Sequence, residues 1–453
     1  MKVPEIIKNS IAVLKQVTDN VDDLALLNVL NSKVANLVTL KGATFKQYSN
    51  SSPRTLSYYG INFMHSGANK DYTVDCINDY LMSFVRPLLE KRIEDFKQNY
   101  IEEHEQFVDS KKEQDKIDEF IKNIRVSNFE LLNPNYTGLY KEAEQIQKIG
   151  FGGLFIRIGE LGDYLDAIVT GNAQKKELYQ KLKDIYEGTV APSIVAGDGQ
   201  RKTLKNIPLQ VLMYTDFENL YNEKVKQYYI NSLKTGMARR CFIYIPHYEN
   251  PYLNYPKTPE QKEQAFYQAN KIEQEYKHIF EQITEKQVYL ISEEAKQYLY
   301  DYQCKCIDYF NTSKDNIIVK LERKESFWKI TKLAVIYSIV DNPLNTIVST
   351  KYVQMAEDFY NNISRSLADV IEKRKATEIE QIADYMVKNA DNPITRTELR
   401  KTNIVNGNKF KMFFDNHLEE IREEIRLQGY EMYEYNGDKN SKGYQLIKVK
   451  SKD

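Results

Sequence analysis

Lys70 stands where a strand-forming run gives way to a helix-forming one. Leu56-Ser-Tyr-Tyr-Gly-Ile-Asn-Phe63 is apolar and rich in strand formers. Ser66-Gly-Ala-Asn69 is a short loop of small and polar residues, and after Lys70-Asp71 the chain reads as helix from Thr73 to Leu89. Strand, tight loop, lysine and helix, in that order, make a phosphate cradle. Loop N–H groups and the helix N-terminus face the anion, and the ammonium reaches its outer oxygens. Ser66, Gly67, Ala68, Asn69, Lys70 and Asp71 are therefore candidate nucleotide ligands. Against the pattern G-x-x-x-x-G-K-[ST], Met64 and Asn69 occupy the glycine positions and Asp71 replaces the magnesium-binding hydroxyl. A carboxylate there can hold Mg²⁺ but also repels phosphate.

A phosphate loop that hydrolyses needs an acid at the end of a neighbouring strand, to orient water and help hold magnesium. Leu154-Phe-Ile-Arg-Ile-Gly159-Glu160 is an apolar strand ending in a carboxylate, with Gly159 where an Asp-Glu pair would put aspartate. Asp163, one turn on, can compensate as a metal ligand; as a plain cap of the next helix, Glu160 is explained equally well. Val211-Leu-Met-Tyr-Thr215-Asp216 ends another strand in polar residues able to sense a γ-phosphate. Gly236-Met-Ala-Arg239-Arg240 precedes the strand after it, where an arginine can stabilise transition-state charge in cis or from a neighbouring subunit. Ordinary surface arginines at a strand start are the plainer account.

Taken in order, these pieces resemble the primase–helicase P-loop ATPases of phages, plasmids and prophages. The resemblance rests on Ser66-Gly-Ala-Asn-Lys-Asp71, on Leu154-Phe-Ile-Arg-Ile-Gly-Glu-Leu-Gly162, on Leu182, Tyr186 and Gly188, on the Gly236–Arg240 turn and on the helical segment containing Lys329–Ala334. It covers roughly residues 4–370 and lies in order and spacing more than in identity. It implies ATP with Mg²⁺, held through the nucleotide by Asp71 and Glu160. Lys70 is then the β/γ-phosphate ligand, Glu160 the catalytic acid/base and Arg239 or Arg240 a trans arginine. It further implies single- or double-stranded DNA and replication proteins as partners, in a homo-oligomer such as a hexameric ring. Met64, Asn69, Asp71 and Gly159 depart from the family pattern, and nothing upstream resembles a primase domain.

The elements that position these residues follow from periodicity. Helical spacing of Ile6, Ile7, Ile11 and Leu14, then of Leu24, Leu27, Leu30, Val34 and Leu37, predicts an N-terminal helical segment over 1–50. Strands alternating with helices over 51–247 predict a three-layer α/β core of RecA/AAA-like P-loop type, with a charged helical excursion at 86–125. A Pro/Tyr-rich linker at 248–259 opens a helical segment that extends to 375. Over 376–453, helices at Glu378–Asn389, Arg396–Lys401 and about Lys409–Leu427, then a hairpin, predict a winged helix. Lys409 and Lys411 begin its longest helix and Lys439 and Lys442 sit on the wing, all candidate phosphate contacts. The same helix carries Glu419, Glu420, Glu423 and Glu424, so a protein-binding wing remains a parallel reading.

The chain has 453 residues and a net charge of −1, so attraction to nucleic acid has to come from local patches. Its four cysteines lack zinc spacing, its five histidines are scattered, and no run is long and apolar enough to span a bilayer. A cytoplasmic location in a bacterial host follows as the expectation. The function expected is a DNA-replication helicase or helicase-like initiator. The alternative is an inactive P-loop relative serving as a DNA- or protein-binding adaptor or winged-helix regulator.

Overall fold

The structure, a computed structural model, describes residues 2–18, 22–64, 70–105, 111–124, 130–192, 202–215, 223–246, 257–372, 378–436 and 442–448. The chain divides into two compact units, 1–369 and 370–453.

In the first unit, helices α1 (Glu5–Val17) and α2 (Asp23–Thr39) precede strands β1 (Thr44–Lys46), β2 (Arg54–Thr55) and β3 (Tyr59–Phe63). Helix α3 (Lys70–Cys76) passes into a π-helical turn at Ile77–Leu81, followed by the charged helices α4 (Val85–Glu105) and α5 (Lys111–Asn123). Then come β4 (Glu130–Leu132), α6 (Tyr136–Ile149), β5 (Leu154–Ile158), α7 (Leu161–Val169) and α8 (Ala173–Ile185). Strand β6 (Leu209–Thr215), α9 (Glu223–Thr235), a 3-10 turn at Ala238–Arg240 and β7 (Cys241–Tyr244) complete the alternation. The remainder is α10 (Pro259–Gln282), β8 (Val288–Ile291), α11 (Glu293–Thr312), α12 (Ile317–Asp341), β9 (Ile347–Val348) and α13 (Thr350–Glu372).

Five strands form one parallel sheet in the order β4-β5-β6-β3-β7. All seven residues of β6 are buried, as a parallel strand covered on both faces requires. Helix α2 covers one face. A Cβ on Gly60 would meet Asn28 Oδ1 at 3.2 Å, so the side-chain-free residue lets α2 approach. Asn28 then donates to Asn62 Oδ1 at 2.9 Å and accepts from the Tyr58 hydroxyl at 2.5 Å, pinning helix to strand. The alternate side chains of β3 face the other way, where the Tyr59 hydroxyl donates to the Leu182 carbonyl and Phe63 meets Tyr229 edge-on. Helix α3 packs with α1 and α2, whereas α7, α8 and α9 belong to the opposite layer.

Residues 1–369 form one unit that takes in the segments expected at 1–50 and 51–247 and most of that at 248–375. Helix α2 explains why: it is buried nearly all round, between the sheet and α1 and α12, and so cannot belong to a separate segment. A second, small sheet, ordered β2-β1-β8-β9, also ties residues 44–46 to 288–291. It falls within stretches expected to be helical or loop, because two- to four-residue strands are too short to show a period. Among the described residues, no helix is long and apolar enough to cross a membrane.

The second unit contains α14 (Glu378–Lys388), β10 (Ile394–Thr395), α15 (Arg396–Lys401), α16 (Phe410–Asn416), α17 (Leu418–Leu427), β11 (Tyr430–Asn436) and β12 (Lys442–Lys448). Its antiparallel sheet runs β10-β12-β11 around a core that includes Ile382, Phe410, Phe414, Ile421 and Tyr444. The single long helix expected from Lys409 to Leu427 is broken at His417, which ends α16 and starts α17. The break places Lys409 and Lys411 on one short element and the four glutamates on the other.

Candidate functional site

Strand β3 connects to β4 past β6 and β5, whereas β6 connects to β7 on the far side of β3. The two connections leave in opposite directions, which opens a crevice beyond the carboxyl ends of β3 and β6. The Met64 N–H donates to the Thr215 carbonyl at 2.8 Å and closes its floor. Thr215 is fully buried there. Ser66, Gly67, Ala68 and Asn69 on one side, and Asp216 on the other, lie outside the described residues. Lys70 and Asp71 begin α3, with residues 65–69 between them and the last described residue of the β3 end.

Glu160 follows β5, the strand beyond β6, and so stands about 10 Å across the sheet from the end of β3. It occupies the N-cap position of α7 in extended conformation, yet its side chain makes no capping hydrogen bond. The capping account therefore does not describe what the carboxylate does. A cleft of about 360 Å³ opens beside it, lined by Asn133, Gly159, Glu160, Asp163, Tyr164 and Lys175. Tyr164 donates to the Pro134 carbonyl at 3.2 Å, and the Lys175 ammonium lies 4.9 Å from the Tyr164 ring centre. Two carboxylates and one cation beside an open space can orient a water or a small polar group. Among the described residues no cluster of three or more His, Cys, Asp or Glu could hold a metal.

One polar network was not foreseen. Arg157, inside β5, pairs with Asp75 of α3 at 3.1 Å and with Glu130 of β4 at 3.4 Å. Lys33 of α2 pairs with Glu130 at 3.0 Å, and Asn78, in the π turn, donates to it. Burial drives the Lys33 ammonium below its usual range despite Glu130. Burial alone would raise the Glu130 carboxyl, but Lys33 and Arg157 outweigh it and hold it low. The network fastens the helix that starts at Lys70 to the strand that leads to Glu160. Its one sequence signal is an arginine inside an otherwise apolar strand.

Arg239 and Arg240 lie elsewhere. They precede β7, whose first residue pairs with Tyr59 at the start of β3, so they sit at the amino edge of the sheet. A five-residue strand separates them from the crevice by about 16 Å. A cis role at the same crevice is thereby removed. Arg240 donates to the Gly236 carbonyl at 2.7 Å. Burial lowers the pKa of Arg239, with Glu325 opposing that shift.

Near this edge Lys332 is buried. Its ammonium donates to the Tyr186 carbonyl at 2.6 Å and lies 3.5 Å from that ring's centre. Burial pushes it down to about 7 from an ordinary value of 10.5. The unfolded chain binds this proton at the higher pKa and the folded chain at the lower one. Between about 7 and 10 the unfolded state therefore holds more protons, and stability rises with pH by up to roughly 1.4 kcal/mol per unit. Below about 7 both states are charged and the penalty is constant. The stability of Lys332→Met relative to wild type should thus increase as pH is lowered from about 10 to about 7, then level off. Urea midpoints across that range check it, and a difference independent of pH would refute it.

Cys76, Cys241 and Cys306 are buried free thiols, and burial raises Cys76 to about 11 and Cys241 to about 12, which makes both poor nucleophiles at neutral pH. In the second unit Lys409 and Lys411 are exposed at the start of α16, while Lys439 and the side chain of Lys442 fall outside the description. No protein-family model matches this chain, and no curated protein matches it significantly.

Proposed function

We propose that the first unit is a P-loop ATPase that couples ATP binding and hydrolysis to handling of DNA in replication, as a helicase or helicase-like initiator. The observation that carries this reading is the convergence at one switch-point crevice of the Lys70 loop–helix junction, the end of β6 at Thr215 and, one strand further, Glu160. Lys70 and the loop N–H groups take the phosphates, Asp71 and Glu160 complete the magnesium shell, and Glu160 draws the proton from attacking water. Placement of Arg239 and Arg240 at the opposite edge supports an oligomer in which they meet the next copy's nucleotide. Steady-state ATP turnover with and without single-stranded DNA tests the reading. Turnover stimulated by DNA is expected; none above background would leave only an inactive adaptor.

The second unit supports a winged helix. Strand β10 adds to the β11–β12 hairpin as a third strand, and α15 and α16 follow in helix-turn-helix order. Separation of Lys409 and Lys411 from the glutamates of α17 favours a phosphate-binding start to α16. Replacing both lysines by alanine in the full chain should reduce the salt dependence of duplex DNA binding by about two released counterions. Fluorescence anisotropy over a salt series measures this, and an unchanged slope would favour a protein-binding wing.

A further inference from the structure

The helical hairpin formed by α11 and α12 carries a row of cations interleaved with rings. Ile317, Lys320, Lys324 and Trp328 recur at three- and four-residue spacing and so share one side of α12, along about 16 Å. The Phe310 ring of α11 has two ammonium groups near it, Lys320 at 5.9 Å and Lys324 at 5.6 Å. Arg323 lies 4.2 Å from the Tyr309 ring on an adjoining side. At the far end of the row Arg54 covers the Trp328 ring at 4.1 Å and is itself paired with Glu187. At the other end Lys314 is exposed in the turn between the helices and Ile317 is 45% exposed, and Lys305 is exposed about two turns back along α11.

Charge is unbalanced here in a chain that is otherwise near neutral. Among the described residues none of Lys305, Lys314, Lys320, Arg323 and Lys324 is in an ion pair. Against these five cations stand the exposed Asp301 and Asp308 of α11, and Asp315, whose carboxylate already accepts from the Tyr309 hydroxyl. Glu322 is buried against Lys329, and Glu325 is within electrostatic reach of Arg239.

We infer that this face of α12, with Phe310 and Trp328, binds single-stranded nucleic acid. Free ammonium groups neutralise phosphates, and rings set between them offer stacking surfaces for unpaired bases. A duplex keeps its base faces stacked on one another, so the rings would have nothing to stack on. The assignment deepens the DNA-handling reading above and rests on it for the choice of polymer.

Trp328 is the only tryptophan in the chain, so its fluorescence reports on this surface alone. Titration of the full protein, without nucleotide, uses an oligo-dT of about 16 residues. Quenching of Trp328 is expected, with an affinity that falls as salt rises. Lys320→Glu/Lys324→Glu should weaken binding by about tenfold or more, and Phe310→Ala by about fivefold or more. An unchanged emission maximum in the free variants shows that the hairpin is intact, and Lys320→Gln/Lys324→Gln provides a milder pair should the reversal disturb it. Absence of quenching, equal affinity for a duplex of the same length, or binding indifferent to both lysine pairs would overturn the assignment. Quenching without ATP turnover would sink the motor reading alone; DNA-stimulated turnover without quenching would sink this one alone.

Discussion

Glu160→Gln is expected to lower steady-state ATP turnover by about 10²–10⁴ while nucleotide still binds, because the amide keeps the shape of the carboxylate but cannot accept the proton of attacking water. Lys70→Ala should act differently. It removes a charged hydrogen-bond donor from the phosphates, so nucleotide affinity falls by about tenfold or more along with turnover. Equilibrium binding of a fluorescent ATP analogue, measured beside turnover, separates the two effects. The position of Glu160 favours this division of roles. It lies two strands from the end of β3, at the mouth of a cleft it shares with Asp163 and Lys175, and its side chain does not cap α7. If Glu160→Gln turned over ATP like wild type, Glu160 would not be the base. Asp163, in the same cleft, would be the next residue to test.

Glu322→Ala should have the largest effect on stability. The Lys329 ammonium meets the Glu322 carboxylate where the two side chains are only 1% and 5% exposed. Lys329 also donates to the Cys241 carbonyl at 3.1 Å, and the Tyr360 hydroxyl donates to the other Glu322 oxygen at 2.6 Å. Removing the carboxylate leaves a buried ammonium without its counter-charge and a buried hydroxyl without its acceptor, a loss of about 3–5 kcal/mol. Replacing the pair together, as Glu322→Leu/Lys329→Met, should recover most of that, because no uncompensated charge remains. Urea midpoints at constant slope check both. Lys329 joins α12 to β7 through the Cys241 carbonyl, so a Glu322→Ala midpoint equal to wild type would mean that this ammonium needs no buried counter-charge.

Much of the first unit was legible in the chain because its strands and helices carry strong local signals. The run Leu209–Thr215 is apolar but for Gln210 and Thr215, and β3 and the start of α3 lie where the sequence reads strand and helix, although the helix expected from Thr73 to Leu89 is divided into α3, the π turn and α4. The short strands β1, β8 and β9 were not legible. Their hydrogen-bond partners lie far away in sequence: Thr44 pairs with Val288, and Leu290 with Ile347. A four-residue apolar run carries no period of its own. The break at His417 was hidden for a similar reason, since both flanking segments keep helical spacing and only the turn between them shows two helices.

The candidate site divides along the same line. By itself the sequence determined which residue types stand at strand ends: Lys70 and Asp71 after β3, Glu160 after β5, Thr215 at the end of β6, and Arg239-Arg240 before β7. Strand ends follow from local propensity, and propensity is carried by neighbouring residues. Only the tertiary structure decided which of those ends share an edge. The order β4-β5-β6-β3-β7 brings β3 beside β6 and leaves β5 one strand further, and the parallel register sends both arginines to the opposite edge. It also decided that Arg157 joins the Lys70 helix to β5, and that Lys320 and Lys324 of α12 gather at the Phe310 ring of α11 with Arg323 at Tyr309. Those relations are set by long-range pairing, which no window of the sequence contains.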